Sequence, residues 1–157
     1  MIWQAARLTL TIEKIALKHN LTLKDASAFN IQFVGIKPVF IDTLSFEELN
    51  PKVPWIAYRQ FCQHFLAPLA LMSYCDLRSN YLLKDFIDGI PLNMAKIFLP
   101  KRSKLNFSIL LHIHLHAKSI YKSKSNSVKS NKKFSKLALK GLMDSLENGI
   151  KKLQYKN

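Results

Sequence analysis

The sequence predicts an α+β chain, mainly α, with one β-hairpin, a basic linker and a terminal helix. Three observations lead there. Apolar residues recur at three- and four-residue steps over 2–18 and 55–69. Two short β-prone runs, Ile31 to Val34 and Val39 to Asp42, flank Gly35, Lys37 and Pro38, which is a hairpin signal. A last apolar stripe (Leu139, Leu142, Met143, Leu146, Ile150 and Leu153) follows a stretch written almost wholly in Lys, Ser and Asn.

The first helix, over 2–18, places Ala5, Leu8, Ile12 and Ile15 on one face, and Asn20 and Thr22 suggest its end. Residues 23–30 show no period and read as a loop. The hairpin follows, and Pro51 and Pro54 punctuate a second loop. Trp55, Tyr58, Phe61, Cys62, Phe65, Leu66 and Leu69 then form an aromatic-rich helical stripe, which Pro68 should kink or divide. Helices are predicted at 79–87 and 92–99, separated by the turn Asp88-Gly89-Ile90-Pro91. Residues 104–119 close the globular part. Ser135 can cap the terminal helix, whose stripe must lie either on the first hundred residues or on something outside them.

Charge divides the chain. Lys and Arg number 24 against 10 Asp and Glu, a net of +14. Residues 1–100 carry only +2 of this and residues 101–157 carry +12. No acid occurs between Lys118 and Lys136, and such a stretch cannot bury enough apolar surface to offset its ordering entropy. The expected organisation is a helical domain over 1–117, a basic flexible linker over 118–134 and a terminal amphipathic helix over 135–157.

Several function classes drop out. The longest apolar run, Phe65 to Met72, is far short of the roughly 20 residues that span a bilayer. The first residues lack the basic-then-apolar order of a secretory signal. No membrane partner and a cytoplasmic location are therefore expected. Cys62 and Cys75 make neither a disulfide framework nor a zinc site and read as small buried hydrophobes. The four glycines spell no Gly-x-Gly-x-x-Gly and no P-loop.

Three polar residues stand out. Asp25 and Asn30 are five apart on one loop, and Asp42 lies twelve residues on, with the hairpin turn between. A hairpin returns the chain to its starting end, so the three side chains should converge. Hard oxygen donors of this kind suit Mg²⁺ bound to phosphates. The spacing resembles the catalytic loop and metal-binding segment of the protein-kinase-like superfamily, including aminoglycoside phosphotransferases. That resemblance implies a kinase C-lobe-like fold, with Asp25 as catalytic base and Asn30 and Asp42 as metal ligands. Leu23 stands where a kinase has His, and 24 residues before Asp25 are too few for a nucleotide lobe, so phosphotransfer with Mg-ATP would need a partner to complete it.

A longer resemblance is carried by consecutive stretches: Leu21-Thr22-Leu23-Lys24-Asp25-Ala26-Ser27-Ala28-Phe29-Asn30, Pro38-Val39-Phe40-Ile41-Asp42-Thr43-Leu44-Ser45-Phe46-Glu47 and Pro54-Trp55-Ile56-Ala57-Tyr58-Arg59-Gln60-Phe61. The chain resembles the N-terminal region of NoeA-like nodulation proteins, a family identified as class I S-adenosylmethionine-dependent (SAM-dependent) methyltransferases. The resemblance implies a cofactor-binding methyltransferase domain beyond this region. The chain is then a truncated or split product that works with a separate methyltransferase-domain chain and is inactive alone. SAM would bind only if that downstream domain is supplied, and whether this chain is itself an enzyme stays open.

Other features have plainer readings. His112, His114 and His116 would share a face on a strand, but on a helix only His112 and His116 pair, without a third ligand or a Glu base, so the run reads as structural or solvated. The aromatic stripe reads as core, with Arg59, Gln60 and His64 as its polar positions. The basic tail implies nonspecific attraction to polyanions, and an adaptor for nucleic acid or an acidic partner is the third reading.

Overall fold

The computed structural model describes residues 1–115 and 135–153. The predicted linker over 118–134, His116 and residues 154–157 lie outside the described residues. The chain is mainly helical, with a terminal helix and two small antiparallel sheets where the sequence predicts one hairpin.

Helix α1 (Ile2–Lys18) opens the chain and buries Ala6, Leu10, Glu13 and Leu17 in line. This face is rotated from the expected one, and Ile15 is exposed. The rotation has a cause: Glu13 finds two partners on the next strand, so a charged position turns inward with the small alanines. Asn20 ends the helix region at φ 59°, a left-handed conformation that Asn tolerates. Strand β1 (Leu21–Leu23) follows, then a 3-10 turn (Ala28–Asn30), β2 (Ile31–Val34) and β3 (Lys37–Phe40). Gly35, at φ 61°, forms a two-residue turn with Ile36, so Lys37 and Pro38 belong to the strand and not to the turn. A second 3-10 turn (Thr43–Ser45) leads to β4 (Phe46–Glu48), which returns to pair with β1.

The aromatic stripe forms a single rod in three pieces: α2 (Tyr58–Phe61), a π turn (Cys62–Leu66) and α3 (Ala67–Tyr74). Pro68 explains the wide turn. A proline inside a helix removes an N–H and crowds the carbonyl four residues back. Here the Ala67 N–H reaches the Cys62 carbonyl five residues back, and Pro68 falls in the first turn of α3. Trp55, Phe61 and Phe65 are buried, with ring centroids 5.7 and 5.2 Å apart in sequence. Each fully buried ring contributes about 1.5–3 kcal/mol, against about 0–1 for an exposed ion pair, so this rod dominates the core.

The predicted helix at 79–87 is instead a 3-10 turn (Leu77–Tyr81) followed by α4 (Leu82–Asp85). Gly89 sits at φ 84° with its backbone against the rod; a Cβ there would lie 2.7 Å from the Gln63 Cβ. Next come α5 (Leu92–Phe98), a 3-10 turn (Lys101–Leu105), α6 (Phe107–Ile109) and a second π turn (Leu110–Leu115). Cys62 is buried as expected, whereas Cys75 is exposed. It lies just past the end of α3, where its thiol reaches the Phe98 carbonyl of α5 but stays open to solvent.

The terminal helix α7 (Lys136–Lys151) starts as predicted, with the Ser135 hydroxyl accepting from the Ala138 N–H. It lies back on the first hundred residues. Leu139, Met143, Leu146, Ile150 and Leu153 join the same apolar core as α1. The Trp3 indole donates to the Ile150 carbonyl, and Lys14 pairs with Asp144 and Glu147. Hydrogen bonds from Lys14 and Lys151 hold the Glu147 carboxyl at about 2.

Two predictions follow from this packing. A Cβ on Gly149 would lie 2.0 Å from the Ser108 Oγ, whereas one on Gly141 meets nothing within 4 Å. Gly149→Ala should therefore cost about 1–3 kcal/mol by overpacking, and Gly141→Ala should gain about 0.5–1 kcal/mol from helix propensity; denaturant melts measure both. The depressed Glu147 carboxyl contributes stability that is present above its unfolded value near 4.5 and is lost as pH falls toward about 2. Melts across that window should flatten in Glu147→Gln.

Candidate functional site

The loop from Leu23 to Asn30 is held from several sides. Leu23 is gripped at both backbone groups: its N–H donates to the Glu13 carboxylate at 2.7 Å, and its carbonyl accepts from the Trp55 indole at 2.9 Å. The other Glu13 oxygen accepts from the Thr22 hydroxyl. Glu13 is fully buried, and burial raises its carboxyl above the usual range against the lowering effect of those two bonds. The Lys24 N–H donates to the Ser45 carbonyl, and the Ala26 N–H to the Gln60 side chain at 2.7 Å. Asp25 then folds over its own backbone, with its Oδ1 accepting from the Ser27 N–H.

The three residues singled out by spacing do come together. The Asn30 amide nitrogen lies 3.2 Å from the Asp25 Oδ1 and 3.1 Å from the Ser45 hydroxyl. That hydroxyl in turn donates to the Asp42 Oδ2, and the Asp42 Oδ1 accepts from the Leu44 N–H. Asp25, Asn30, Ser45 and Asp42 thus form one hydrogen-bonded chain. The hairpin brings them there, and its pairing extends one step past the strands through the Ile41 N–H to the Asn30 carbonyl. Asn30 and Ser45 are buried, while Asp25 and Asp42 are partly open to solvent.

His64, on the first π turn, is buried with the Phe29 ring edge-on at 6.0 Å. Burial lowers its affinity for a proton, and the nearby Asp25 and Asp88 carboxylates oppose that effect. Gln60 also turns inward, to the site loop, while Arg59 is exposed. Ser45 and Glu13 are the site residues that spacing did not reveal, whereas Gln60 stood out as a polar position on the aromatic helix. Glu13 left one signal, a charged residue set in an otherwise apolar helical line.

Among the described residues no group of three His, Cys, Asp or Glu is arranged to hold a metal. The candidate site offers two carboxylates and a carboxamide, an all-oxygen set of the kind hard cations take. The carboxamide, however, turns its nitrogen to Asp25 and Ser45. A cation here requires Asn30 to rotate half a turn and present its oxygen.

His112 and His114 diverge, being two residues apart on a helical turn. His112 bridges the Tyr58 hydroxyl at 2.7 Å and the Ser145 hydroxyl at 3.0 Å, tying α2 to α7. Burial lifts the Tyr58 phenol above its usual range and pushes the Cys62 thiol up to about 12, so neither ionises near neutrality. His114 bonds the Ser103 hydroxyl at 2.9 Å. A groove of about 410 Å³ between α6 and α7 is lined by Ser108, Asp144, Ser145 and Asn148 among others.

Ser45 joins Asn30 to Asp42, so Ser45→Ala should cost about 1–2 kcal/mol and leave the Asn30 amide one acceptor short. Ser45→Thr, which keeps the hydroxyl, should retain more of that stability in thermal melts.

No family model matches the chain, and no solved structure matches it. The chain is similar to the nodulation protein NoeA of Rhizobium meliloti (strain 1021), at 33% identity over 114 residues. The match covers 73% of this chain and 24% of NoeA, so what the two share is a NoeA-like segment about a quarter of that relative's length.

Proposed function

We propose that the chain is the N-terminal, kinase-C-lobe-like region of a NoeA-like SAM-dependent methyltransferase, a region inactive without a cofactor-binding domain. The observation that carries this reading is the match itself: 33% identity over most of this chain but a quarter of NoeA. The composition agrees, because these 157 residues hold four glycines and no Gly-x-Gly with which to cradle a nucleoside cofactor. The methyltransferase activity belongs to the resemblance, and this region would act as a helical platform for it. Calorimetry of the 157-residue protein with SAM should show no binding, and saturable heat at micromolar cofactor would overturn the reading.

A second reading is favoured by the hydrogen-bonded chain through Asp25, Asn30, Ser45 and Asp42. It is a partner-completed phosphotransferase site, in which Asp25 accepts the proton of a substrate hydroxyl. Asn30, rotated, and Asp42 would hold Mg²⁺, which screens phosphate charge when bound. Here Mg-ATP should raise the melting temperature of the protein. Asp42→Asn, which keeps an acceptor for the Leu44 N–H, should abolish that shift. An equal shift in wild type and variant, or none in either, removes this reading.

A further inference from the structure

We infer that the face built from the end of α5, the turn Lys101–Leu105 and the start of α6 adsorbs to an anionic lipid surface. Large apolar side chains stand out in solvent there: Ile97 is 78% exposed, Phe98 56%, Leu105 90% and Phe107 69%. Lys96, Lys101, Arg102 and Lys104 are interleaved with them. No acid faces them from their own stretch, since residues 89–115 contain four Lys or Arg and no Asp or Glu; Asp144, which lines a groove with Phe107, and Asp76, two residues past the Tyr74 that Arg102 bonds, are the acids on neighbouring elements.

The structure gathers these groups. Ser103 turns inward to the His114 ring, which directs the rest of its turn outward. Lys96 and Lys104 both lie near enough to His114 to add to the effect of burial in lowering its proton affinity. The Arg102 guanidinium donates to the Tyr74 carbonyl, beside Cys75, whose thiol meets the Phe98 carbonyl. One end of the molecule therefore carries both the cations and the exposed apolar groups.

That combination fits a bilayer interface. Apolar side chains enter the boundary between headgroups and acyl chains, while Lys and Arg meet the phosphates. No spanning segment is needed, and no helix among the described residues is long and apolar enough to cross a membrane. A nucleic acid would use the same cations but has nothing for Ile97 and Leu105, which have no ring to stack on a base. The exposed apolar groups of the hairpin and the turn after it, Val34, Ile36 and Leu44, do not compete, because Lys37 is the lone cation among residues 31–44.

The test is co-sedimentation of the 157-residue protein with phosphatidylcholine vesicles and with mixed phosphatidylcholine–phosphatidylglycerol vesicles, alongside retention on duplex DNA. Of the two vesicle types, binding is expected to the mixed one alone. The double variant Leu105→Glu/Phe107→Glu should weaken it by about tenfold or more, beyond its effect on DNA retention. Ile97→Glu provides the same test at a separate position should the double variant fold poorly. Absence of vesicle binding overturns the proposal. So does vesicle binding that these variants leave unchanged, or a loss matched on DNA, since either assigns the attraction to charge alone.

Discussion

The buried carboxylate of Glu13 is the constraint on which the polar half of the molecule depends. It sits on the inward line of the first helix and spends both oxygens on the next strand, one on the Thr22 hydroxyl and one on the Leu23 N–H. An unpartnered carboxylate there would be too costly to keep charged. With two donors, burial and hydrogen bonding oppose one another, and the strand is fixed at one height along the helix. Trp55 completes the grip from the opposite side, taking the Leu23 carbonyl. A short β1 of three residues would be marginal on ladder bonds alone. Side chains from the first helix and from the segment just before α2 make it a fixed point.

Everything in the candidate site is measured from that point. Asp25 follows Leu23 by two residues, and its loop is then held by Ser45 and Gln60 through backbone N–H groups. Such support is what a chemical site needs, because side chains on an unsupported loop wander by more than the tolerance of a reaction. The same bonds also limit the chemistry. Each of Asp25 and Asp42 already accepts from the protein, and Asn30 presents its nitrogen. The arrangement is organised but internally satisfied, and an incoming ligand must compete with bonds that hold the fold.

How much of this was legible depends on whether the signal was local. The first helix, the hairpin and the Ser135-capped last helix rest on residues within one or two turns of each other, and the sequence shows all three. The convergence of Asp25, Asn30 and Asp42 was legible for the same reason, since one hairpin brings them together. The β1–β4 sheet was not, because Leu21 to Leu23 pair with Phe46 to Glu48 across more than twenty residues and each strand is too short for a period. Nor was the role of Ser45, an ordinary polar residue until the neighbours it bonds are known, while Gln60 showed only as a polar position on an aromatic stripe. The inward face of the first helix was misjudged because hydropathy places Glu13 outside, and only its partners bring it in. Cys75 departs from the usual burial of thiols because it follows the last turn of α3 and meets only the edge of α5.

The wide turn at Cys62–Leu66 is a place where the aromatic rod can change length without changing direction. A π turn accommodates one residue more than the α turn it replaces. Deleting a single position there would close the turn to α geometry and keep Gln60 in phase with Leu69 and Leu71, but Pro68 would then crowd the carbonyl four residues before it. An alignment gap of one at this spot should therefore travel with loss of the proline.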